Sequence, residues 1–176
     1  MENQNETQSN KAYEYAMFLL NIRLRTEGEL REKLRIKNYE LGIITEVINQ
    51  LTEQHYIDDQ RFAEVYLENL KKYKSWGYFG VKKKLMEKKL PTNIIDKVLL
   101  EGMSEEDELE IAKRFLKKLE VGIKPRKAGS APGGNYEEKP QNEITTSSDS
   151  YGARQKLAKK LASKGFRTSV ISKLVF

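Results

Sequence analysis

Few residues of this chain have side chains suited to covalent or metal chemistry. The 176 residues include no cysteine, which excludes disulfides, thiolate metal sites and a cysteine nucleophile. His55 is the only histidine, so a two-histidine metal site is excluded and a Ser-His-Asp triad would have to use this residue. Because adjacent side chains point in different directions, we interpret Asp58 and Asp59 as the acidic start of a helix rather than as metal ligands. The sequence therefore predicts a protein that is not an enzyme and needs no cofactor.

Recurring lysines offer binding chemistry instead. The formal net charge is +6, and three lysine pairs with a spacing of four residues each lie on one face of a predicted helix. Such a face attracts the phosphates of nucleic acid or an acidic protein groove, although a chain with 23 lysines also presents basic faces that are merely solvated. The candidate binding residues are Arg31, Lys33, Lys37, Lys82, Lys84, Lys88, Lys159, Lys160, Lys164 and Arg167.

Basic charge is most concentrated at the end of the chain. Residues 151–176 contain seven Lys and Arg residues and no Asp or Glu. We therefore expect the strongest attraction for a polyanion here. A second feature is the aromatic cluster of Tyr73, Trp76, Tyr78 and Phe79. Its rings are suited to stacking on bases, but packing at a corner between helices is the favoured interpretation.

Helices must position these residues, because apolar side chains recur at spacings of three and four. Helix starts are indicated by the capping box at Thr26–Glu29 and by Ser104 ahead of an acidic turn. Self-comparison then shows three copies of one pattern. The copies are aligned on Leu34, Leu85 and Leu161. Relative to these leucines, positions −4, +5, +9, +10, +13 and +14 hold an apolar residue in every copy.

This pattern predicts an all-α protein made of three tandem three-helix repeats. Such units gain stability by stacking on their neighbours, so we expect an elongated curved rod with a long concave surface. That shape favours binding over catalysis. The predicted organisation is a disordered tail over 1–10, repeats over 11–56, 57–103 and 104–176, and a disordered insert over 122–150 that is rich in Pro, Gly and Ser.

The motifs resemble those of the RecX family, bacterial proteins that regulate the RecA recombinase. The resemblance lies in the opening segment 23–34, in the junction Tyr56-Ile57-Asp58-Asp59 followed by 60–63, in segment 77–85 and in segment 161–166. No single motif decides it, because each is largely typical of helices in general. Their order, spacing and number together are specific, and they cover about residues 11–120 and 151–175.

The resemblance implies a regulator that binds along the groove of a RecA filament on DNA. It implies modulation, usually inhibition, of strand exchange, ATP hydrolysis and co-protease activity during DNA repair and recombination. The partners expected are the RecA filament and single-stranded DNA, contacted weakly or through the filament. We expect a cytoplasmic monomer without a membrane partner, since the longest apolar run is Ala16–Leu20. The alternative is a basic helical nucleic-acid-binding protein that does not target RecA.

Overall fold

The computed structural model describes residues 2–122 and 147–175, and helices joined by short turns account for these residues. The helices of the described part are α1 (Glu2–Ile22), α2 (Glu27–Ile36), α3 (Leu41–Glu53), α4 (Asp59–Tyr73), α5 (Tyr78–Glu87), α6 (Thr92–Gly102), α7 (Glu105–Gly122), α8 (Ser147–Ser163) and α9 (Thr168–Val175). The predicted all-α class is confirmed. No helix in these two ranges is both long and apolar enough to cross a membrane.

The helices form three consecutive units of three. Helices α1, α2 and α3 pack on one another, as do α4, α5 and α6, while α9 packs against both α7 and α8. We call these units repeats 1, 2 and 3. The C-terminal end of α5 contacts repeat 1 and its N-terminal end contacts repeat 3. The predicted tandem repeats are therefore confirmed. Because repeats 1 and 3 contact opposite ends of α5, the molecule is elongated.

The aligned leucines form the centre of each repeat. Leu34, Leu85 and Leu161 each have 0% of their surface exposed. The apolar core is divided unequally between the repeats, because repeat 1 has a core of its own whereas repeats 2 and 3 share one continuous core. Phe166 enters this shared core and stacks on Phe115, with a distance of 6.4 Å between ring centroids.

The turn after the second helix is the same in every repeat. Asn38, Lys89 and Gly165 stand four residues after the aligned leucines, and their φ angles are 62°, 59° and 76°. A left-handed residue at this position is a common way to end a helix. Glycine adopts this conformation without strain, and at Gly165 it is also required for space. A Cβ atom on Gly165 would lie 2.7 Å from Gly80 Cα, in the backbone of repeat 2.

The N-terminus of the second helix in one repeat docks against this turn in the next. The hydroxyl of Thr26, the N-cap of α2, donates a hydrogen bond to the carbonyl of Lys88 at 2.5 Å. The backbone N–H of Gly77, the N-cap of α5, donates to the carbonyl of Lys164 at 3.0 Å. Lys88 and Lys164 occupy the same position of their repeats, three residues after the aligned leucine. The two junctions are therefore built alike.

A carboxylate completes each junction, and it is fully buried at Glu108 and partly buried at Asp59. Asp59 accepts a hydrogen bond from the N–H of Glu27 at 2.9 Å, and Glu108 accepts one from the N–H of Tyr78 at 3.0 Å. Glu27 and Tyr78 are the first residues of α2 and α5, where backbone N–H groups lack partners within the helix. An acidic side chain from the first helix of the following repeat thus satisfies the exposed end of the preceding second helix.

Two predicted disordered segments differ from the structure. Helix α1 begins at Glu2, so the prediction of a disordered tail over 1–10 is wrong for residues 2–10. Ala12 and Ala16 anchor this helix in the core, and extending an anchored helix costs far less than starting one. The predicted insert over 122–150 is also too long, because Gly122 ends α7 and residues 147–150 form the first turn of α8. The rest of the insert lies outside the described residues.

Candidate binding surface

The predicted lysine pairs occupy equivalent places in the three repeats. Lys33, Lys84 and Lys160 lie near the end of the second helix, one residue before the aligned leucine. Lys37 and Lys88 are the C-caps of α2 and α5, and Lys164 directly follows α8. This placement puts the lysine charge beside the carbonyl end of each helix, where cations are stabilised.

Acidic neighbours reduce the available charge in repeats 1 and 2. Arg31 pairs with Glu27 at 2.7 Å, and Lys88 pairs with Glu29 at 3.4 Å. Lys82 donates a hydrogen bond to Asp96 at 2.7 Å, which raises the pKa of the lysine. Each of these pairs places a carboxylate beside a residue that the sequence predicts to bind a polyanion.

Repeat 3 contains exposed lysines of both kinds, because Lys173 pairs with Glu105 at 2.8 Å whereas two lysines of α8 have no acidic partner among the described residues. Lys159 and Lys160 are exposed on α8 and form no ion pair with any described residue. No described carboxylate offsets these two charges, as the concentration of basic residues in 151–176 leads us to expect.

Arg167 lies at the junction between repeats 2 and 3, where it holds Glu108. The Nε of Arg167 donates to Glu108 Oε2, and its backbone N–H donates to Glu108 Oε1 at 2.8 Å. Its guanidinium lies 4.9 Å from the ring centroid of Tyr78. Glu108 has 0% of its surface exposed. The basic face predicted for binding thus includes one arginine that joins two repeats.

Four lysines and four aromatic rings meet in one groove at the same junction, which we call the lysine–aromatic groove. It has a volume of about 600 Å³ and is open to solvent. Its lysines are Lys74, Lys84, Lys118 and Lys164, and its rings are Tyr66, Tyr73, Trp76 and Phe115. No Asp or Glu belongs to the described residues that line it. Lys84 forms an ion pair nearby, with Glu87 at 2.7 Å.

The Trp76 ring is the centre of this groove. The ammonium groups of Lys164 and Lys84 lie 4.4 Å and 5.5 Å from its ring centroid. Lys164 also lies 5.9 Å from the Phe115 ring centroid. Cations at these distances are attracted to aromatic faces. Two of the predicted basic residues, Lys84 and Lys164, are thereby brought together from separate repeats.

Two members of the aromatic cluster predicted from sequence pack at the corner between helices, and two face the solvent. Tyr78 and Trp76 are half-buried, as corner packing requires, whereas Tyr73 and Phe79 are exposed. The sequence interpretation did not include Tyr66, Phe115, Lys74 and Lys118 in a site. Tyr66 and Phe115 stand three residues after the aligned alanines Ala63 and Ala112, a spacing that could have predicted one shared face.

The acidic residues have structural partners, and His55 lies in a turn after a helix. Asp58 caps α4 by accepting a hydrogen bond from the N–H of Arg61 at 2.9 Å, which agrees with the predicted helix start. Burial raises the pKa of Asp59 above its ordinary value. His55 follows the end of α3 with a φ of 59°. Within the described parts of the chain, no group of three His, Cys, Asp or Glu residues could hold a metal ion.

Comparison with known proteins decides the family. Models of the first and second three-helix domains of RecX match residues 12–51 and 58–99. A regulatory protein RecX of Haemophilus influenzae (strain PittGG) is 35% identical over 111 residues, which cover 62% of this chain and 71% of that protein. The chain belongs to the RecX family. The resemblance seen in the motifs is thereby confirmed.

Other RecX proteins extend the match along the chain. The regulatory protein RecX of Halalkalibacterium halodurans is 29% identical over 166 residues, or 94% of this chain. The chain spans about half the length of that relative, 54%. The crystal structure of RecX from Lactobacillus salivarius has a TM-score of 0.75 and 22% identity, covering 97% of this chain and 96% of the other. The likeness to this crystal structure supports the fold.

Proposed function

We propose that this protein binds the RecA–DNA filament and inhibits the recombinase, ATPase and co-protease activities of RecA in DNA repair and recombination. Membership of the RecX family is the observation that carries this proposal. The protein acts as a cytoplasmic monomer, without a cofactor, a membrane partner or a catalytic step of its own.

The arrangement of charge supports filament binding. Repeated turns place Lys37, Lys88 and Lys164 at equivalent points along an elongated molecule. A filament repeats its own surface along its axis, so equivalent cations on successive repeats suit either DNA phosphates or acidic protein side chains there. Lys159 and Lys160, which are exposed and form no ion pair within the described ranges, add positive charge in repeat 3.

A second candidate function is direct binding of nucleic acid without RecA as the target. The lysine–aromatic groove favours this candidate, because cationic side chains and exposed rings are the usual elements of a nucleic-acid surface. Base readout in a major groove is not expected, since the basic residues lie on the second helix and its turn rather than on α3, α6 or α9.

The test is ATP hydrolysis by the cognate RecA on single-stranded DNA, measured with and without this protein. The proposal predicts that hydrolysis falls as the protein is added, with no effect of an equal concentration of a neutral helical protein. A hydrolysis rate that stays constant up to concentrations well above that of RecA contradicts inhibition. Repeating the titration at a second DNA concentration separates the two candidates, because a competitor for DNA alone loses its effect when DNA is in excess.

A further inference from the structure

The lysine–aromatic groove concentrates positive charge from four separate places in the chain. Lys74 follows α4, Lys84 lies on α5, Lys118 lies on α7 and Lys164 follows α8. Helices far apart in sequence thus bring four ammonium groups to one open groove, without an acidic side chain among its described lining residues. A concave surface of one charge sign attracts a polyanion more strongly than the same charges spread over a convex surface.

The aromatic rings distinguish this groove from a simple basic patch. Tyr73 keeps 61% of its surface exposed beside the lysines, and the half-buried Trp76 lines the groove next to it. The repeat itself does not require an aromatic residue at the position of Trp76. The equivalent position, nine residues before the aligned leucine, holds Arg25 in repeat 1 and Gly152 in repeat 3. The aromatic ring of Trp76 is therefore specific to this junction.

We propose that this groove binds unpaired nucleotides of a single-stranded nucleic acid. Phosphates lie along Lys74, Lys118 and Lys164, and a base stacks on the exposed ring of Tyr73, next to Trp76. Exposed aromatic rings in a cationic groove bind single strands because every unpaired base offers a flat face. Paired bases in a duplex do not offer that face, and an acidic peptide gains from the lysines but does not require the rings. This inference rests on the proposed function and deepens it by naming the partner of one surface.

Trp76 makes the proposal directly measurable, since it is the only tryptophan of the chain. The full-length protein is titrated with an oligothymidylate of about ten nucleotides, within the usual range for a single-strand site. We expect saturable quenching of tryptophan fluorescence as a base reaches the ring. Heparin, a polyanion without bases, is the parallel probe, and we expect it to bind without comparable quenching. Equal quenching by heparin overturns the stacking part of the proposal.

Variants then separate the rings from the charge. Tyr73→Leu should weaken oligothymidylate binding by about 5- to 150-fold, the range seen when one stacking ring is removed. Tyr56→Leu is the matched control, because Tyr56 is also an exposed tyrosine but lines a different surface depression. Lys118→Gln should reduce the slope of log K against log salt by about 0.7, the value for one single-strand phosphate contact. Circular dichroism confirms that each variant keeps its helix content.

The outcome that overturns the proposal is equal loss, or no loss, of oligonucleotide affinity in the Tyr73 and Tyr56 variants. Tighter binding of a poly-glutamate peptide than of oligothymidylate also overturns it, because the groove then serves acidic protein. Inhibition of RecA ATP hydrolysis that persists in Tyr73→Leu without oligonucleotide binding would leave the proposed function standing. Oligonucleotide binding that depends on Tyr73, with no effect on RecA, would instead support this inference and contradict the proposed function.

Discussion

Glu108 is the residue whose loss should most clearly separate repeats 2 and 3. Its carboxylate is fully buried and accepts hydrogen bonds from the N–H groups of Tyr78 and Arg167 and from the Arg167 side chain. The Glu108→Ala variant leaves two backbone donors and one guanidinium without their acceptor. In the wild-type protein Nη2 of Arg167 has no hydrogen-bond partner among the described residues, so this atom does not hold the guanidinium in place when Glu108 is removed.

The free-energy cost of Glu108→Ala depends on the full burial of Glu108 and the partial exposure of Arg167. Removing one partner of a buried ion pair costs about 3–5 kcal/mol. Because the Arg167 side chain keeps 30% exposure, water compensates part of the loss, and we expect about 3 kcal/mol. That free energy corresponds to a fall in Tm of about 6–12 °C for a chain of this size. Glu108→Gln keeps an acceptor oxygen and should cost about 1–2 kcal/mol.

Urea unfolding followed by circular dichroism measures these costs, and hydrogen exchange shows where they are felt. Exchange should accelerate in repeats 2 and 3 and change little in repeat 1, which has its own core. Glu106→Ala is the matched control, since Glu106 is exposed in the same turn of α7 and should cost less than about 1 kcal/mol. Equal costs for the Glu108 and Glu106 variants would refute the assignment of Glu108 to the junction.

Four further predictions concern the other parts of the structure. Burial raises the pKa of Asp59, so the folded protein disfavours the charged carboxylate and wild-type stability is lost as pH rises through the raised pKa. Asp59→Asn does not carry this loss, so its free energy of unfolding should increase relative to that of wild type between about pH 3 and about pH 7. A difference between the two proteins in urea unfolding that does not change with pH contradicts this. Gly28→Ala places a Cβ 2.6 Å from Lys89 Cβ and should cost about 1–3 kcal/mol in thermal unfolding, whereas Gly42→Ala, with open space, should not destabilise. Leu85→Ala should cost about 2–5 kcal/mol, measured by urea unfolding against Leu100→Ala, which is exposed. The double variant Lys159→Glu, Lys160→Glu should keep the fold but weaken single-strand binding and flatten its salt dependence. Lys97→Glu should keep the fold without weakening binding, and fluorescence anisotropy at several salt concentrations measures both.

Periodicity in the sequence was sufficient to predict the repeats and their centres. The positions aligned on Leu34, Leu85 and Leu161 are apolar in every copy, and the structure buries all three leucines completely. Local helix signals were equally informative. The predicted caps Thr26 and Ser104 accept hydrogen bonds from Glu29 and Asp107, three residues further along. These features depend on contacts within about one turn, which sequence spacing describes directly.

Contacts between repeats could not be read from the same pattern. Thr26 meets Lys88 and Glu108 meets Arg167 across 62 and 59 residues of sequence. Lysine spacing alone also could not show that Asp96, on another helix, accepts a hydrogen bond from Lys82. For the same reason the lysine–aromatic groove was not predicted as a site, because its lining residues come from four places in the chain. Polar composition led to the wrong prediction for residues 2–10, since composition does not record the packing of Ala12 and Ala16.

The central claim is that this protein binds RecA assembled on DNA. The most direct measurement is co-sedimentation with RecA filaments on single-stranded DNA, with RecA alone and DNA alone as parallel samples, at a salt concentration that prevents pelleting with DNA alone. We expect the protein to pellet with the filaments in a saturable ratio and to stay in the supernatant with free RecA. Equal amounts in the supernatant with and without filaments, at protein concentrations up to that of RecA, would contradict it.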